Sequence, residues 1–282
     1  MRRFLPLLAM FLAPALLGLG IEQQSLSPEQ VSDLYTQAKA CFRKGNELVK
    51  NDPNQAREQF RMAVLRFERI VREGDVENGR LYYNIGNTYF RMGDVGRALL
   101  NYRRAERYIP NDLNLQQNLA NARSRRTDRV EESEGKRILR TVLFWHYDFS
   151  MGQRARAFAV LHVLFWCLCS LRLFKRISWV SWSVVLCGLP ALLLAASLAS
   201  EAMHEARVRP GVVLAREAIA YKGDADTYEK AFTEPLHAGT EFVVIEDRGQ
   251  WIEIQLADRR TCWLPAGDIG MVRGTTPDET RQ

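Results

Sequence analysis

Three spacings of apolar residues follow one another along the chain. From residue 27 to about residue 125, apolar and small side chains recur every three to four positions, which places them on one face of a helix. Two apolar blocks follow, at 155–171 and 177–199, with the short basic run Arg172-Leu173-Phe174-Lys175-Arg176 between them. From 208 to 273 the period drops to two, the alternation of half-buried strands. A further apolar block at 4–20 follows Met1-Arg2-Arg3. The order predicts packed helices, then two helices of membrane length, then short strands.

Within the first region, Ser27-Pro28-Glu29-Gln30 reads as a helix start, with Ser27 as the cap and Gln30 completing a capping box. That helix is expected to run to about Lys50, where Asn51-Asp52-Pro53-Asn54 breaks it. A second carries Ala56, Phe60, Ala63 and Phe67 to Arg72, and Gly74-Asp75 ends it. Residues 79–112 hold the most specific pattern. Tyr82, Ile85, Gly86 and Tyr89, then Gly93, Ala98, Tyr102, Ala105 and Pro110, resemble a tetratricopeptide repeat, whose period is about 34 residues. Asn84-Ile85-Gly86-Asn87 returns one period later as Asn118-Leu119-Ala120-Asn121. Residues 31–74 resemble a degenerate repeat lengthened by a heptad at about 56–62; a plain pair of antiparallel helices fits them as well.

The block at 4–20, with its basic start and small residues at the end, reads as an export signal cut after Gly20. Residues 126–153 read as a basic linker, closing on the aromatic stretch Val142–Phe149 suited to the headgroup level. Membrane helices are expected over 154–171 and 177–199, since a crossing needs about 20 apolar residues. The short basic loop between them stays in the cytoplasm, so the export signal places both flanking regions outside.

In the last region, 211–221, 241–246, 251–256, 261–265 and 269–272 read as five short strands, with Asp247-Arg248-Gly249 turning the central hairpin. Five strands in so short a stretch favour a small closed barrel, which hides its edges. Residues 274–282 read as a tail.

Composition changes this picture little. The chain has 282 residues and a formal charge of +6, and a mean hydropathy of −0.24 that hides the apolar blocks. The arginine excess beside those blocks reads as attraction to anionic lipid; no DNA- or RNA-binding motif accompanies it. The five cysteines make no disulfide framework, because Cys167, Cys169 and Cys187 fall inside apolar blocks and Cys41 and Cys262 in different regions.

The order of parts is similar to one bacterial family. It rests on Gly79–Tyr89, on Gly239-Thr240-Glu241 through Trp251-Ile252-Glu253-Ile254, and on Trp263-Leu264-Pro265. The chain resembles the BatE proteins of the Bat aerotolerance group. The resemblance implies a multidomain protein: an all-α tetratricopeptide module at 27–125, a two-helix transmembrane hairpin, and an all-β bacterial SH3-like barrel at 208–273. It implies an inner-membrane location with both modules on the periplasmic side. It also implies partnership with von Willebrand factor A-domain membrane proteins and a MoxR-type AAA+ ATPase, in stress tolerance or envelope assembly. Cys262 stands where such barrels usually carry glycine.

No motif for catalysis or metal binding stands out, and neither an enzymatic activity nor a cofactor is expected. His146, His162, His204 and His237 are scattered. Cys262 with His237 is the sharpest catalytic pair, but an apolar setting makes such a thiol inert. Glu201, His204 and Glu205 share helical spacing and are read as an exposed turn beside the membrane; Cys167 and Cys169 are read as lipid-facing; His162 is expected to pair with the other membrane helix. For binding, Asn84, Asn87, Arg91, Asn118 and Asn121 would line the concave groove of a repeat array, where asparagine either holds a partner's backbone or bridges neighbouring helices. On the barrel, Tyr221, Trp251 and Trp263 mark a surface. Two functions follow: a scaffold for protein partners, or a peptidoglycan-binding regulator or targeting subunit of a cell-wall enzyme.

Overall fold

The computed structural model describes residues 25–128, 143, 145, 149–174 and 178–273. The expected signal, most of the linker with His146, the end of the basic loop and the tail lie outside the described residues.

Five helices come first: α1 (Pro28–Leu48), α2 (Pro53–Gly74), α3 (Gly79–Met92), α4 (Val95–Glu106) and α5 (Leu113–Ser124). Their starts are set by side chains that satisfy otherwise free backbone N–H groups. At α1 the capping box forms in both directions, with Ser27 N donating to Gln30 Oε1 at 2.8 Å and Gln30 N to Ser27 Oγ at 3.3 Å. Asp52, Asn78, Asp94 and Asp112 cap the other four. Asp75, rather than Gly74, takes the left-handed position that ends α2.

Each helix packs on the next, and α3 also reaches α5. Small residues let the axes approach and large ones fill beside them. A Cβ on Gly86 would lie 2.6 Å from the ring of Tyr102, itself fully buried on α4. Phe67, Ile70, Leu81, Ile85, Leu99, Leu115 and Leu119 complete this core, each contributing about 1.5–3 kcal/mol by leaving water. The first two helices are the longest of the five, and their extra length sits where Gly45 on α1 faces the ring of Phe60 on α2.

Two long apolar helices follow, α6 (Met151–Phe174) and α7 (Ser178–Arg207), packed against each other. Both are long and apolar enough to cross a membrane. At 1.5 Å per residue the shorter spans about 36 Å, against about 30 Å for a hydrocarbon core. Trp166, Leu173, Trp182, Leu186 and Leu192 stand exposed on them, the reverse of a core helix. Both helices extend beyond the expected spans. In particular α7 stays helical to Arg207, so Glu201, His204 and Glu205 do not form a turn. Glu201 lies within that helix, where it pairs with Arg154 of α6.

The rest is a curled antiparallel sheet with strand order β6-β5-β4-β1-β7. The strands are β1 (Arg209–Val213), β4 (Glu241–Asp247), β5 (Trp251–Leu256), β6 (Thr261–Pro265) and β7 (Ile269–Met271), while β2 (Glu217–Ala218) and β3 (Leu236–His237) pair separately. The expected first strand is therefore broken into β1 and β2. On β5, Ile252, Ile254 and Leu256 turn inward while Glu253 and Gln255 alternate with them. Strand β6 is an edge of the sheet, and the backbone of Tyr221 pairs with it at Trp263.

Gly86→Val is expected to destabilise the helical part by about 2–3 kcal/mol, because the Tyr102 ring and the Ala98 carbonyl leave no room for the added carbons. Gly93→Ala strains a backbone at φ 85° but meets no neighbour, and is expected to cost about 1–2 kcal/mol. Urea unfolding of the full chain in detergent, followed by circular dichroism, checks that order.

Candidate functional site

The five residues expected to line a groove divide into two groups. Asn84 Nδ2 donates to the hydroxyl of Tyr35 on α1 at 3.0 Å. Asn118 Nδ2 on α5 lies 3.0 Å from the hydroxyl of Tyr83 and 2.8 Å from Asn87 Oδ1, both on α3. Tyr102 on α4 donates to Asn87 Oδ1 at 2.9 Å. Burial pushes the Tyr102 phenol well above its ordinary range, so it remains a donor. These three asparagines bridge helices. Arg91 and Asn121 are exposed.

An open hollow on this part of the molecule lies elsewhere, between α1, α2 and α3. It holds about 360 Å³ and is lined by Lys39, Phe42, Arg43, Phe67 and Asn84. Sequence reasoning found Asn84 but missed the two cations. Their signal was a pair of basic residues four positions apart, one helical turn on the same face.

On the sheet, the three expected aromatic residues come together. The rings of Tyr221 and Trp251 meet edge to face at 5.5 Å. Tyr221 and Trp263 exchange backbone hydrogen bonds of 3.0 and 2.9 Å. The guanidinium of Arg248 lies over Trp263, 4.7 Å from its centroid, and is held there by Asp224 and Glu246. Trp263 is buried, so Tyr221 and Trp251 supply the more open part of this surface.

Cys262 and His237 have separate surroundings. Cys262 is buried in the sheet core, and burial pushes its thiol from 9.0 up to about 12. His237 is engaged by Asp128, its Nδ1 3.0 Å from Asp128 Oδ1 and its backbone N–H donating to Asp128 Oδ2 at 2.9 Å. Thr240 donates to the same carboxylate at 2.5 Å. Partial burial raises the Asp128 pKa, but these hydrogen bonds outweigh it and hold the carboxyl below its ordinary value. Among the described residues, no group of three or more His, Cys, Asp or Glu side chains converges on a metal-sized site.

Asp128 belongs to a contact that the sequence did not announce. Helix α4 packs on β1 and β7. Leu99 and Leu100 share one buried cluster with Val212 and Val272. A Cβ on Gly96 would lie 2.9 Å from the carbonyl of Val213, so the two parts touch at backbone distance. Around this apolar centre the contacts are charged. Glu241 on β4 takes Arg123 at 3.1 Å, Arg126 at 3.6 Å and Arg103 at 3.8 Å. Arg104 donates to the carbonyl of Met271 at 2.9 Å.

A second polar contact ties the apolar helices. Arg154, buried near the start of α6, donates to Ser197 Oγ at 2.6 Å and pairs with Glu201, both on α7. This pairing holds Glu201 on the helix rather than in a turn. The expectation for His162 is corrected: its ring bonds Trp166 Nε1 at 3.1 Å on its own helix, on an exposed face. Cys167 is exposed, whereas Cys169 is half-buried.

Comparison with protein-family models, with curated proteins and with solved structures gave no match.

Glu241→Gln is expected to weaken the helix–sheet contact by about 1–3 kcal/mol, the worth of hydrogen bonds to a charged group. Amide exchange should rise in β1 and β7 while β5 is unchanged. Cys262 should resist a water-soluble maleimide at pH 8 until the chain is unfolded. Its folded pKa lies above 9.0, so its contribution to stability is intact below that pH and is lost as pH climbs toward about 12. Cys262→Ala should flatten the fall in the unfolding midpoint over that interval.

Proposed function

We propose that the protein is a membrane-anchored scaffold whose tetratricopeptide-like helices and SH3-like sheet stand together on the outer face of a bacterial inner membrane and hold protein partners there. One observation carries this reading. The helical part and the sheet are fastened to each other by Glu241, Asp128 and the packing of Leu99 and Leu100, although two membrane-length helices separate them in the chain. Contact between the parts requires them to share one side of a bilayer. A chain that leaves that side and returns to it needs an even number of crossings, and α6 and α7 supply two. The basic start and apolar block at 4–20 favour the outer side.

The resemblance to BatE proteins supports partners of the von Willebrand factor A-domain class in the membrane. The short basic loop between α6 and α7 is the part left to meet a MoxR-type ATPase in the cytoplasm. A second reading, a peptidoglycan-binding regulator or targeting subunit of a cell-wall enzyme, draws on the half-buried Tyr221 and Trp251 rings. Aromatic faces of that kind suit an amphipathic ligand with one apolar side.

Alkaline phosphatase fused after residue 273 should be active in intact bacteria, and fused at residue 174 inactive. The reverse pattern would remove the scaffold from the envelope. Crosslinking in cells through the exposed faces of α1 and α3 should capture membrane proteins; retention of the full chain on purified sacculi, lost in Trp251→Ala, would favour the wall-binding reading instead.

A further inference from the structure

We propose that the hollow between α1, α2 and α3 is a docking site for an extended acidic peptide segment bearing one apolar side chain. The proposal rests on the scaffold reading and names the chemistry of the partner. The hollow's floor is aromatic: Phe67 is buried and fixed by the edge of the Tyr35 ring at 5.7 Å, and Phe42 is half-buried beside it. One rim is cationic, made by exposed Lys39 and Arg43. Among the described residues, no Asp or Glu lines the hollow. Neither cation has an ion pair among the described residues, whereas Arg69, Arg97 and Arg103 on the same helical part each engage a carboxylate.

Asn84 supplies the third element. One N–H of its amide is given to Tyr35, which fixes the group's plane. Its second N–H and its Oδ1 remain to meet a peptide backbone, which carries one donor and one acceptor per residue. A volume of about 360 Å³ takes one large side chain with flanking backbone. The concave shape with an apolar floor favours a peptide over a flat anionic bilayer, which needs neither.

The test uses the full chain in zwitterionic nanodiscs and a fluorescein-labelled octapeptide with four acidic residues around one leucine. A matched peptide with lysines in the acidic positions and vesicles of anionic phospholipid serve as comparisons. The acidic peptide should bind, and weaken on the order of tenfold in Lys39→Glu/Arg43→Glu. It should be little changed in Lys44→Glu/Lys50→Glu, which alters net charge equally away from the hollow. Binding should also fall when salt rises from about 50 to about 300 mM.

Equal loss in both double variants would mean a diffuse field and would overturn the site, as would equal binding of the lysine peptide. Vesicle adsorption that depends on Lys39 and Arg43 without peptide binding would assign the rim to lipid and overturn it too. Unchanged circular dichroism separates these results from unfolding. If crosslinking in cells captures partners on α1 and α3 while the acidic peptide fails, the charge assignment falls and the scaffold stands; if crosslinking captures none, the scaffold itself falls.

Discussion

Glu241 on β4 and Asp128 just beyond α5 join parts of the chain that α6 and α7 keep apart in sequence. The bonds from Arg123 to Glu241 reach across 118 positions, and those from His237 to Asp128 across 109. Their energies are modest. Arg126 is nearly buried and Glu241 about one-quarter exposed, so desolvation offsets much of the attraction. The apolar contact of Leu99 and Leu100 with Val212 and Val272 supplies the adhesion. The charges set the register of one part on the other, because a carboxylate placed among arginines tolerates little displacement. With that register fixed, the surfaces of the helical part and the sheet keep one geometry relative to each other.

The elements themselves were readable because their causes are local. Ser27 and Gln30 announce a helix start within four residues, and Gly86 with Tyr102 announces a close helix crossing by its spacing. Ile252, Ile254 and Leu256 announce a strand by alternation. Bonds across long separations leave no such trace. Asn84 and Asn118 were placed on the right helices, yet their partners Tyr35 and Tyr83 lie 49 and 35 positions away. Whether an asparagine serves a neighbour or a ligand depends on that distant hydroxyl. Strand β3, two residues long, was missed for a similar reason, since only its pairing with β2 defines it. The closed barrel expected from the strand count is a curled sheet with β6 and β7 as its edges, and Tyr221 pairs along β6. Edge cover of this kind depends on a loop's path, which periodicity does not encode.

Arg154 shows how one buried charge changes the reading of a whole segment. By hydropathy, the end of α7 looks like chain leaving a membrane, and its carboxylates look solvated. A buried guanidinium needs a counter-charge, and Glu201 on α7 provides it. The polar pairing fixes α7 against the start of α6. Elsewhere the two helices meet through small and aromatic contacts such as Gly188 on Phe165, where an added Cβ would lie 3.0 Å from the ring.

These two polar contacts act at the same end of the hairpin. Arg154 lies near the start of α6 and Glu201 near the end of α7, the ends that lead back toward the helical part and on into β1. A hairpin clamped at that end emerges as a pair of helices at fixed separation rather than as two independent tethers. The docked helical part and sheet add a second closure a short distance along the chain. The two closures, one between α6 and α7 and one between the helical part and the sheet, bracket the junction where α7 ends at Arg207 and β1 begins at Arg209, so the chain there passes directly from one clamped pair of elements into the other.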